Sequence, residues 1–247
     1  MRDMKKRILV GTSGWHYAHW KGAFYPEKIP SDRMFAFYCE RFATVEINSS
    51  FYRLPSKEAF RSWRNQTPKH FKFSVKASRY ITHMKKLKDP EQSLEKFLSA
   101  ATELGPKLDV VLFQLPPHWT RDTARLEAFL DALPKSLRAA FEFRSPSWFH
   151  AEVYATLKNH DAAFCAFDLA GEQSPRPLTG GFGYLRLHGP SEHRYAGRYT
   201  EAQLRQWLKV CEKWIKDGAQ EVFVYFDNDQ AGYAAINALE LQAMVGA

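Results

Sequence analysis

The sequence has no stretch that approaches the roughly 18 consecutive apolar residues of a membrane-spanning helix. The apolar run at residues 8–10, which follows the basic segment 1–7, is also too short for the apolar region of a signal peptide. Cysteine is scarce as well: Cys39, Cys165 and Cys211 are far apart and form no Cys-x-x-Cys pair. We therefore expect a cytoplasmic protein with no membrane partner, whose thiols are reduced and in which Cys165 is a small core residue.

No glycine-rich nucleotide loop of the Rossmann or phosphate-loop type follows the first predicted strand. This absence weakens the competing fold, an open doubly wound sheet with a nucleotide at its edge. The sequence also has no close pair of metal ligands of the His-x-x-x-His kind. We predict that no cofactor is required, and we keep a divalent metal ion as an open alternative.

Eight apolar segments alternate with helical patterns along the 247 residues, 45% of which are hydrophobic. The predicted strands cover residues 7–13, 43–48, 71–76, 108–115, 140–144, 162–168, 182–188 and 221–226. Helices are predicted over residues 31–42, from Ser56 onwards, and over 90–104, 121–133, 146–159, 201–217 and 229–244. The helix after strand six is reduced or missing, because Gly171, Pro175 and Pro177 interrupt any helical periodicity. This pattern predicts a single (β/α)8 TIM-type barrel domain over residues 1–247, a typical length for that fold.

Nearly every predicted strand ends in polar residues. Because side chains alternate along a strand, Glu142 and Arg144 share one face and Phe141 and Phe143 share the other. Polar strand ends of the same kind are Ser13, Glu46, Asn48, Lys76, Gln114, Asp168, Arg186, His188, Asp227 and Asn228. Active sites of such barrels form at the C-terminal ends of the strands. We therefore predict that these polar side chains line that end of the barrel, which we call the mouth. The structural alternative is a buried salt-bridge lattice in which Arg144 or Arg186 neutralises Glu142.

Glu46 and Glu142 are the candidate catalytic carboxylates, because such a pair can supply a proton donor and a base or nucleophile. His188 is a candidate second acid or base. These three residues, with Asp168 and Asp227, could instead hold a divalent metal ion. Cationic side chains in the same mouth would repel that ion, so we favour proton transfer.

The cations of the predicted mouth favour an anionic substrate, and aromatic loops above it can stack on a sugar ring or a base. We therefore predict an enzyme that acts on a small anionic or sugar-like substrate, such as a phosphosugar. The candidate substrate-binding residues are Trp15, Asn48, Tyr52, Lys76, His83, Gln114, Arg144, Trp148, Asp168, Arg186, Tyr195, Asp227 and Asn228. Arg194 and Arg198 lie in the loop after strand seven, where barrels often bind phosphate.

Two other functions stay open from the sequence. The formal charge of +8 and the aromatic loops suit a nucleic-acid-binding or nucleic-acid-processing protein. A non-catalytic interaction protein that keeps the barrel for another purpose is the third hypothesis, and an exposed apolar patch away from the mouth would favour it. The sequence leaves the oligomeric state undetermined.

Motifs in order along nearly the whole chain resemble those of the YecE-like family, domain of unknown function 72. They are the segments 11–15, 25–26, 45–52, 71–76, 81–83, 113–117, 141–148, 184–189 and 225–229. In the last of these, Asp227 and Asn228 stand where the family usually has two asparagines. The resemblance implies a TIM-type barrel and a cytoplasmic location, and it implies no activity.

Overall fold

The computed structural model describes residues 7–246, and in it eight parallel strands form a nearly closed ring with helices outside. The strands are β1 (Ile8–Thr12), β2 (Thr44–Ile47), β3 (Lys72–Lys76), β4 (Leu108–Gln114), β5 (Arg138–Glu142), β6 (Ala163–Leu169), β7 (Phe182–Leu187) and β8 (Glu221–Phe226). They pair in the order β1-β8-β7-β6-β5-β4-β3-β2. This confirms the predicted TIM-type barrel. The basic residues 1–6 lie outside the described residues, and a single domain over 1–247 stays a prediction.

Eight α-helices are described between residues 7 and 246. They are α1 (Met34–Cys39), α2 (Ser49–Tyr52), α3 (Lys57–Gln66), α4 (Pro90–Ala101), α5 (Thr123–Asp131), α6 (Ala151–Asn159), α7 (Glu201–Lys216) and α8 (Tyr233–Gly246). Within that range, no helix combines the length and the apolar character needed to cross a membrane. In place of a helix after β6 there is a two-residue strand, Glu172–Gln173, which pairs antiparallel with β6, as the glycines and prolines of this segment predict.

At the start of three predicted helices the structure has a different kind of turn. The segments predicted to begin at residues 31, 146 and 229 start with short 3-10 turns, Ser31–Arg33, Pro146–Trp148 and Gln230–Gly232. Before α8 the reason is local, since Ala231 has a φ of 54° and so lies outside the helical region. The cap of α7 is as predicted, because the Thr200 side chain accepts from the Gln203 backbone and Gln203 reciprocates.

The barrel closes between β1 and β2, where an isolated bridge joins Ser13 to Glu46. Below that bridge Gly11 brings β1 so close to β2 that a Cβ atom would clash with the carbonyl oxygen of Thr44. The backbone N–H of Thr12 turns outward and donates to the Tyr38 hydroxyl at 3.0 Å. Glycine at position 11 is therefore a requirement of closure.

Inward-facing side chains fill the barrel in layers. At its N-terminal end Lys72 Nζ lies 2.9 Å from Asp109 Oδ2, and Arg138 Nη1 lies 3.0 Å from Glu221 Oε2. Apolar and aromatic side chains form the middle layers, including Val110, Leu112, Ala140, Ala163, Cys165, Phe182, Tyr184, Phe223 and Tyr225. The layer at the C-terminal end is charged, and it contains most of the residues predicted to be functional.

We predict that Gly11→Ala lowers the free energy of unfolding by about 1–3 kcal/mol, because the added methyl group must push β1 away from β2. Urea unfolding followed by circular dichroism measures this. Gly181→Ala is the matched control, since a Cβ there would lie 3.5 Å from Asp161 Oδ1, an ordinary contact. The control should stay within about 0.5 kcal/mol of the parent. Equal losses in the two variants would contradict the role of Gly11 in closure.

Candidate active site at the mouth of the barrel

Arg186 on β7 lies at the centre of the mouth and is fully buried. Its Nη2 donates to Glu46 Oε1 at 2.7 Å and to Asp227 Oδ2 at 3.0 Å, and its Nη1 donates to Glu142 Oε2 at 2.9 Å. Burial by itself would lower the pKa of Arg186, but the three carboxylates raise it well above its usual range. Three strands therefore contribute one carboxylate each to a single guanidinium.

Glu142 is fully buried and is bound by a second arginine. Arg144 Nε donates to Glu142 Oε1, on the side opposite to the contact with Arg186. Burial would raise the pKa of Glu142, but the charges of Arg144 and Arg186 hold it well below its usual range. Glu142 is thus an ionised member of a buried lattice, which is the structural alternative that the sequence suggested.

His188 joins the lattice through both ring nitrogens. Its Nδ1 lies 3.0 Å from Asp227 Oδ2, and its Nε2 lies 3.0 Å from Arg144 Nη2. Because a guanidinium can only donate, Nε2 accepts, and the ring proton sits on Nδ1 and is donated to Asp227. Tyr195 packs edge-on against the imidazole, with ring centroids 5.6 Å apart. Asp227 therefore sets the tautomer of His188.

Lys76, at the end of β3, differs from the two arginines of the mouth. Within residues 7–246 it forms no ion pair with a carboxylate, whereas Arg144 and Arg186 both do. Its Nζ instead lies 4.3 Å from the centroid of the Phe51 ring. Burial, and then the nearby charge of Arg186, lower the pKa of Lys76 to about 8. The Lys76 ammonium therefore releases its proton more readily than that of an ordinary lysine.

A π-helix, Tyr80–Met84, places His83 beside this lysine. Burial lowers the pKa of His83 to about 4, and the charges of Lys76, Arg79 and Arg144 act in the same direction. Single turns of π-helix are frequent at functional sites. Three cationic side chains, Lys76, Arg79 and Arg144, therefore lie near His83 and add to the effect of its burial.

Tyr184 and Phe51 were missed from the predicted site, and Ser13 was expected only as one of the polar strand ends. Ser13 Oγ and the Tyr184 hydroxyl donate to Glu46 at 2.7 and 2.8 Å, so they hold the carboxylate that faces Arg186. Tyr184 has the same parity as Arg186 along β7, and strand alternation alone could have identified it. Phe51 stands next to the predicted Tyr52, and no sequence signal distinguishes the two.

Asp168 does not face the mouth, contrary to the prediction. On β6 the inward positions are Cys165 and Phe167, so Asp168 turns outward, towards the helix side of the barrel. There, burial raises the pKa of Asp168, while hydrogen bonds from Tyr199 and Trp207 oppose that rise. It is a structural carboxylate between the barrel and α7.

Asn228 also turns outward and holds the loop after β7. Its Nδ2 donates to the carbonyl oxygen of Gly197 at 2.9 Å. In the same loop, Arg198 pairs with Glu240 of α8, and Arg194 is exposed. Asn228 is thus engaged with the loop through its Nδ2, Arg198 has a structural partner, and a substrate contact of Asn228 stays a prediction.

Two of the aromatic residues predicted to bind substrate do not contact the charged side chains of the mouth. Trp148 is fully buried, stacks on Phe143 at 4.9 Å and donates from Nε1 to the Trp119 carbonyl oxygen at 2.7 Å, so it is a core residue. Tyr52 is 71% exposed, and its neighbour Phe51 makes the contact with Lys76.

The remaining predicted residues lie around the network. Gln114 ends β4 in register with Glu142 and is partly buried. Trp15 and Asn48 line a separate cavity of about 460 Å³ next to the mouth. Within residues 7–246, no group of three His, Cys, Asp or Glu side chains is arranged to hold a metal ion. The mouth carboxylates are directed at arginines instead.

Comparison with known proteins places this geometry in a family. The family model described as "Protein of unknown function DUF72" matches residues 9–247. The protein YunF of Bacillus subtilis (strain 168) is 29% identical over an alignment 266 residues long. The alignment covers 95% of this chain and 93% of YunF. The protein YecE of Escherichia coli (strain K12) is 33% identical over 113 residues, 45% of this chain and 42% of YecE.

Solved structures of the same family share the barrel. A DUF72 family protein of Thermotoga maritima MSB8 superposes with a TM-score of 0.89 at 30% identity, over 98% of this chain and 100% of that one. A DUF72 family protein of Enterococcus faecalis V583 gives a TM-score of 0.84 at 21% identity, over 97% and 96% of the two chains. The second likeness shows the fold alone.

We predict that Glu142→Gln lowers the free energy of unfolding at pH 7 by about 3–5 kcal/mol, because it leaves two buried arginines short of one negative charge. The folded-state pKa of Glu142 lies below its ordinary value of 4.5. Its ionic contribution is therefore fully present above pH 4.5 and is lost as the pH falls towards the folded-state pKa. The difference between parent and variant should narrow on acidification below pH 4.5.

Urea unfolding at a series of pH values from 7 to 3 tests this expectation. Glu127→Gln is the control, because Glu127 is exposed on α5, and it should change stability by no more than about 0.5 kcal/mol. A difference between parent and Glu142→Gln that is small at pH 7, or that grows on acidification, would contradict the ionised lattice.

Proposed function

The chain belongs to the DUF72 family, and we propose that it is an enzyme that binds a small anionic or sugar-like substrate, such as a phosphosugar, at the mouth of its barrel. The observation that carries this proposal is the buried ammonium of Lys76, which has no carboxylate partner among residues 7–246. A buried ammonium without a direct ionic partner is unfavourable, and an anionic ligand would supply such a partner.

The surroundings of Lys76 support an anion over a cation. Arg144 and Arg79 add positive charge, and His83 is held neutral because its pKa is lowered to about 4. The three mouth carboxylates are already bound by arginines, and within residues 7–246 none forms an ion pair with Lys76, although their charges partly oppose the lowering of its pKa. Arg144 keeps 8% of its side chain exposed, which lets a ligand reach it from solvent.

Proton transfer is better assigned to Lys76 than to the two glutamates. Glu46 and Glu142 are fully buried, both are bound to Arg186, and Glu142 has a strongly depressed pKa, so a proton on it is disfavoured. In this proposal the glutamates are positioning residues that hold the arginines. The Lys76 ammonium, with a pKa of about 8, can bind an anion and exchange a proton at physiological pH.

His188 is the second group proposed for proton exchange. Its Nε2 accepts from Arg144 at 3.0 Å and from Arg186 at 3.3 Å, and a ligand anion that draws Arg144 towards itself would leave the longer of these two bonds opposing a proton on this nitrogen. Asp227 would then stabilise the imidazolium that forms, because it is bonded to Nδ1. No divalent metal or other cofactor is needed for either step.

We predict that sulfate, which keeps its double negative charge across the range, raises the melting temperature of the protein at pH 7. At one hundred times its dissociation constant the gain is about 2.7 kcal/mol. Because the Lys76 ammonium is the binding form, the affinity should fall as the pH rises through about 8. Calorimetric titration between pH 6 and 9.5, with thermal melts alongside, measures both effects.

Lys76→Met should abolish this stabilisation while leaving the unliganded protein as stable as the parent or more so, since a buried charge is removed. Lys209→Met on α7 removes an exposed charge and is the matched control, which should bind sulfate like the parent. Phosphosugars, neutral sugars and short single-stranded DNA and RNA complete the panel. Stabilisation by nucleic acid alone, lost at high salt, would overturn the proposal in favour of nucleic-acid binding.

A further inference from the structure

Burial sets Lys76 apart from the other lysines of the protein. Among residues 7–246 it is the one lysine that is buried, with 6% of its surface exposed. Two partly buried lysines, Lys72 and Lys107, have their ammonium groups occupied. Lys72 pairs with Asp109 at 2.9 Å, and Lys107 donates to two backbone carbonyl oxygens at 2.6 and 2.7 Å. The Lys76 amine is thus both shielded and uncommitted.

The Lys76 amine is nevertheless in contact with solvent. Its Nζ makes no hydrogen bond within residues 7–246, where its neighbour is the Phe51 ring. The fully enclosed polar side-chain atoms of these residues that lack a partner are Asn48 Oδ1, Asn228 Oδ1 and Gln242 Oε1. Because Lys76 Nζ is not one of them, part of its surface is accessible. His83 and Arg144 beside it are also only partly buried, so a small molecule can approach from the mouth.

The surroundings of this amine favour its neutral, nucleophilic form. The Phe51 ring provides an apolar face 4.3 Å from Nζ, and Arg186 is a like charge nearby. Burial and Arg186 lower the pKa of Lys76 from 10.5 to about 8, although the mouth carboxylates oppose this shift. At pH 7 the neutral amine is therefore about two orders of magnitude more abundant than in an ordinary lysine. Desolvation and a neighbouring cation are the two means by which proteins activate a nucleophilic lysine.

The strand beneath Lys76 fixes the place from which the amine acts. Lys76 is the last residue of β3, and its carbonyl oxygen accepts from Ser50 Oγ at 2.6 Å. The backbone N–H of Ala77, the next residue, donates to the carbonyl oxygen of Leu112 at 2.8 Å. Catalytic residues of such barrels come from these strand ends. The backbone therefore holds Lys76 where its amine meets a ligand in the mouth.

We propose that Lys76 is a nucleophile that forms an iminium with the carbonyl group of an open-chain phosphosugar. The inference rests on the proposed function, in which the mouth binds the anionic group. Two bonds form between Nζ and the carbonyl carbon as both bonds from that carbon to oxygen break. Two of the three ammonium protons leave with the oxygen as water, and the third stays on the iminium. The positive charge therefore stays in the mouth, and Arg144 is left to bind the phosphate.

Reductive trapping tests this step, because sodium cyanoborohydride converts an iminium into a stable secondary amine that peptide mass spectrometry locates. With glyceraldehyde 3-phosphate at pH 7, we expect Lys76 to be modified at least about tenfold faster than any other lysine, since more of its amine is neutral. The rate should increase between pH 6 and 8, as the ammonium loses its proton. Glycerol 3-phosphate, which has no carbonyl group, should give no adduct.

Two variants form a matched pair for the same experiment. Lys76→Arg keeps the positive charge but has no amine to form the iminium, so the adduct at this position should be lost. Lys209→Arg makes the same exchange at an exposed site on α7, and its Lys76 should be modified like that of the parent. Melting curves verify that both variants are folded, and the peptide map of the parent protein is informative without either of them.

The nucleophile and the anion site fail differently. Adducts confined to exposed lysines, in a protein that sulfate still stabilises through Lys76, overturn the iminium and leave the anion site standing. Sulfate that slows the modification of Lys76 supports both, because the two ligands then compete for one place. Modification of Lys76 by unphosphorylated glyceraldehyde at the same rate, with no effect of sulfate, keeps the nucleophile and overturns the anion site and the phosphosugar.

Discussion

The mouth of this barrel depends on one buried guanidinium, that of Arg186, and the three carboxylates around it. Transfer of each ion from water costs several kcal/mol, and mutual attraction offsets that cost only when the geometry is good. The barrel provides this geometry because the carboxylates belong to different strands, each fixed by its own backbone ladder. Ser13, Tyr184 and Arg144 complete the hydrogen bonds, so no member of the lattice can move alone.

The two ends of the barrel use charge in different ways. At the N-terminal end Lys72, Asp109, Arg138 and Glu221 pair with one another and close the interior. At the C-terminal end the arginines take the carboxylates, and Lys76 is left with an aromatic ring as its neighbour. The three carboxylates equal the three cations of the mouth in number, but among residues 7–246 Lys76 is the one of those cations that no carboxylate contacts directly. The asymmetry distinguishes the end at which we propose ligand binding from the end whose charges pair with one another.

Membership of the DUF72 family and the likeness to its solved structures establish the barrel and the place of its mouth. A barrel of this kind supports many chemistries, so the functional argument rests on particular side chains. The same lattice that makes Glu46 and Glu142 conspicuous in the sequence removes them from direct contact with solvent. The residues that stay reachable, Lys76 and Arg144, owe their character to that lattice.

Sequence patterns alone determined the eight-fold alternation of strands and helices and the missing helix after β6. They also determined that four side chains point into the barrel, because strand parity is a local property. These are Glu46, Glu142, Arg186 and His188. Parity failed at Asp168 and Asn228, since both were grouped with neighbours on the opposite face. The sequence also could not predict whether Trp148 and Phe51 lie in the core or at the mouth, because aromatic side chains suit both environments. Only the tertiary structure decided which charged side chains pair with one another. It therefore also decided that Lys76, among residues 7–246, forms no ion pair with a carboxylate. That outcome depends on distances across the barrel between Arg186 and carboxylates that lie 41, 44 and 140 positions away in the sequence, which no local pattern encodes.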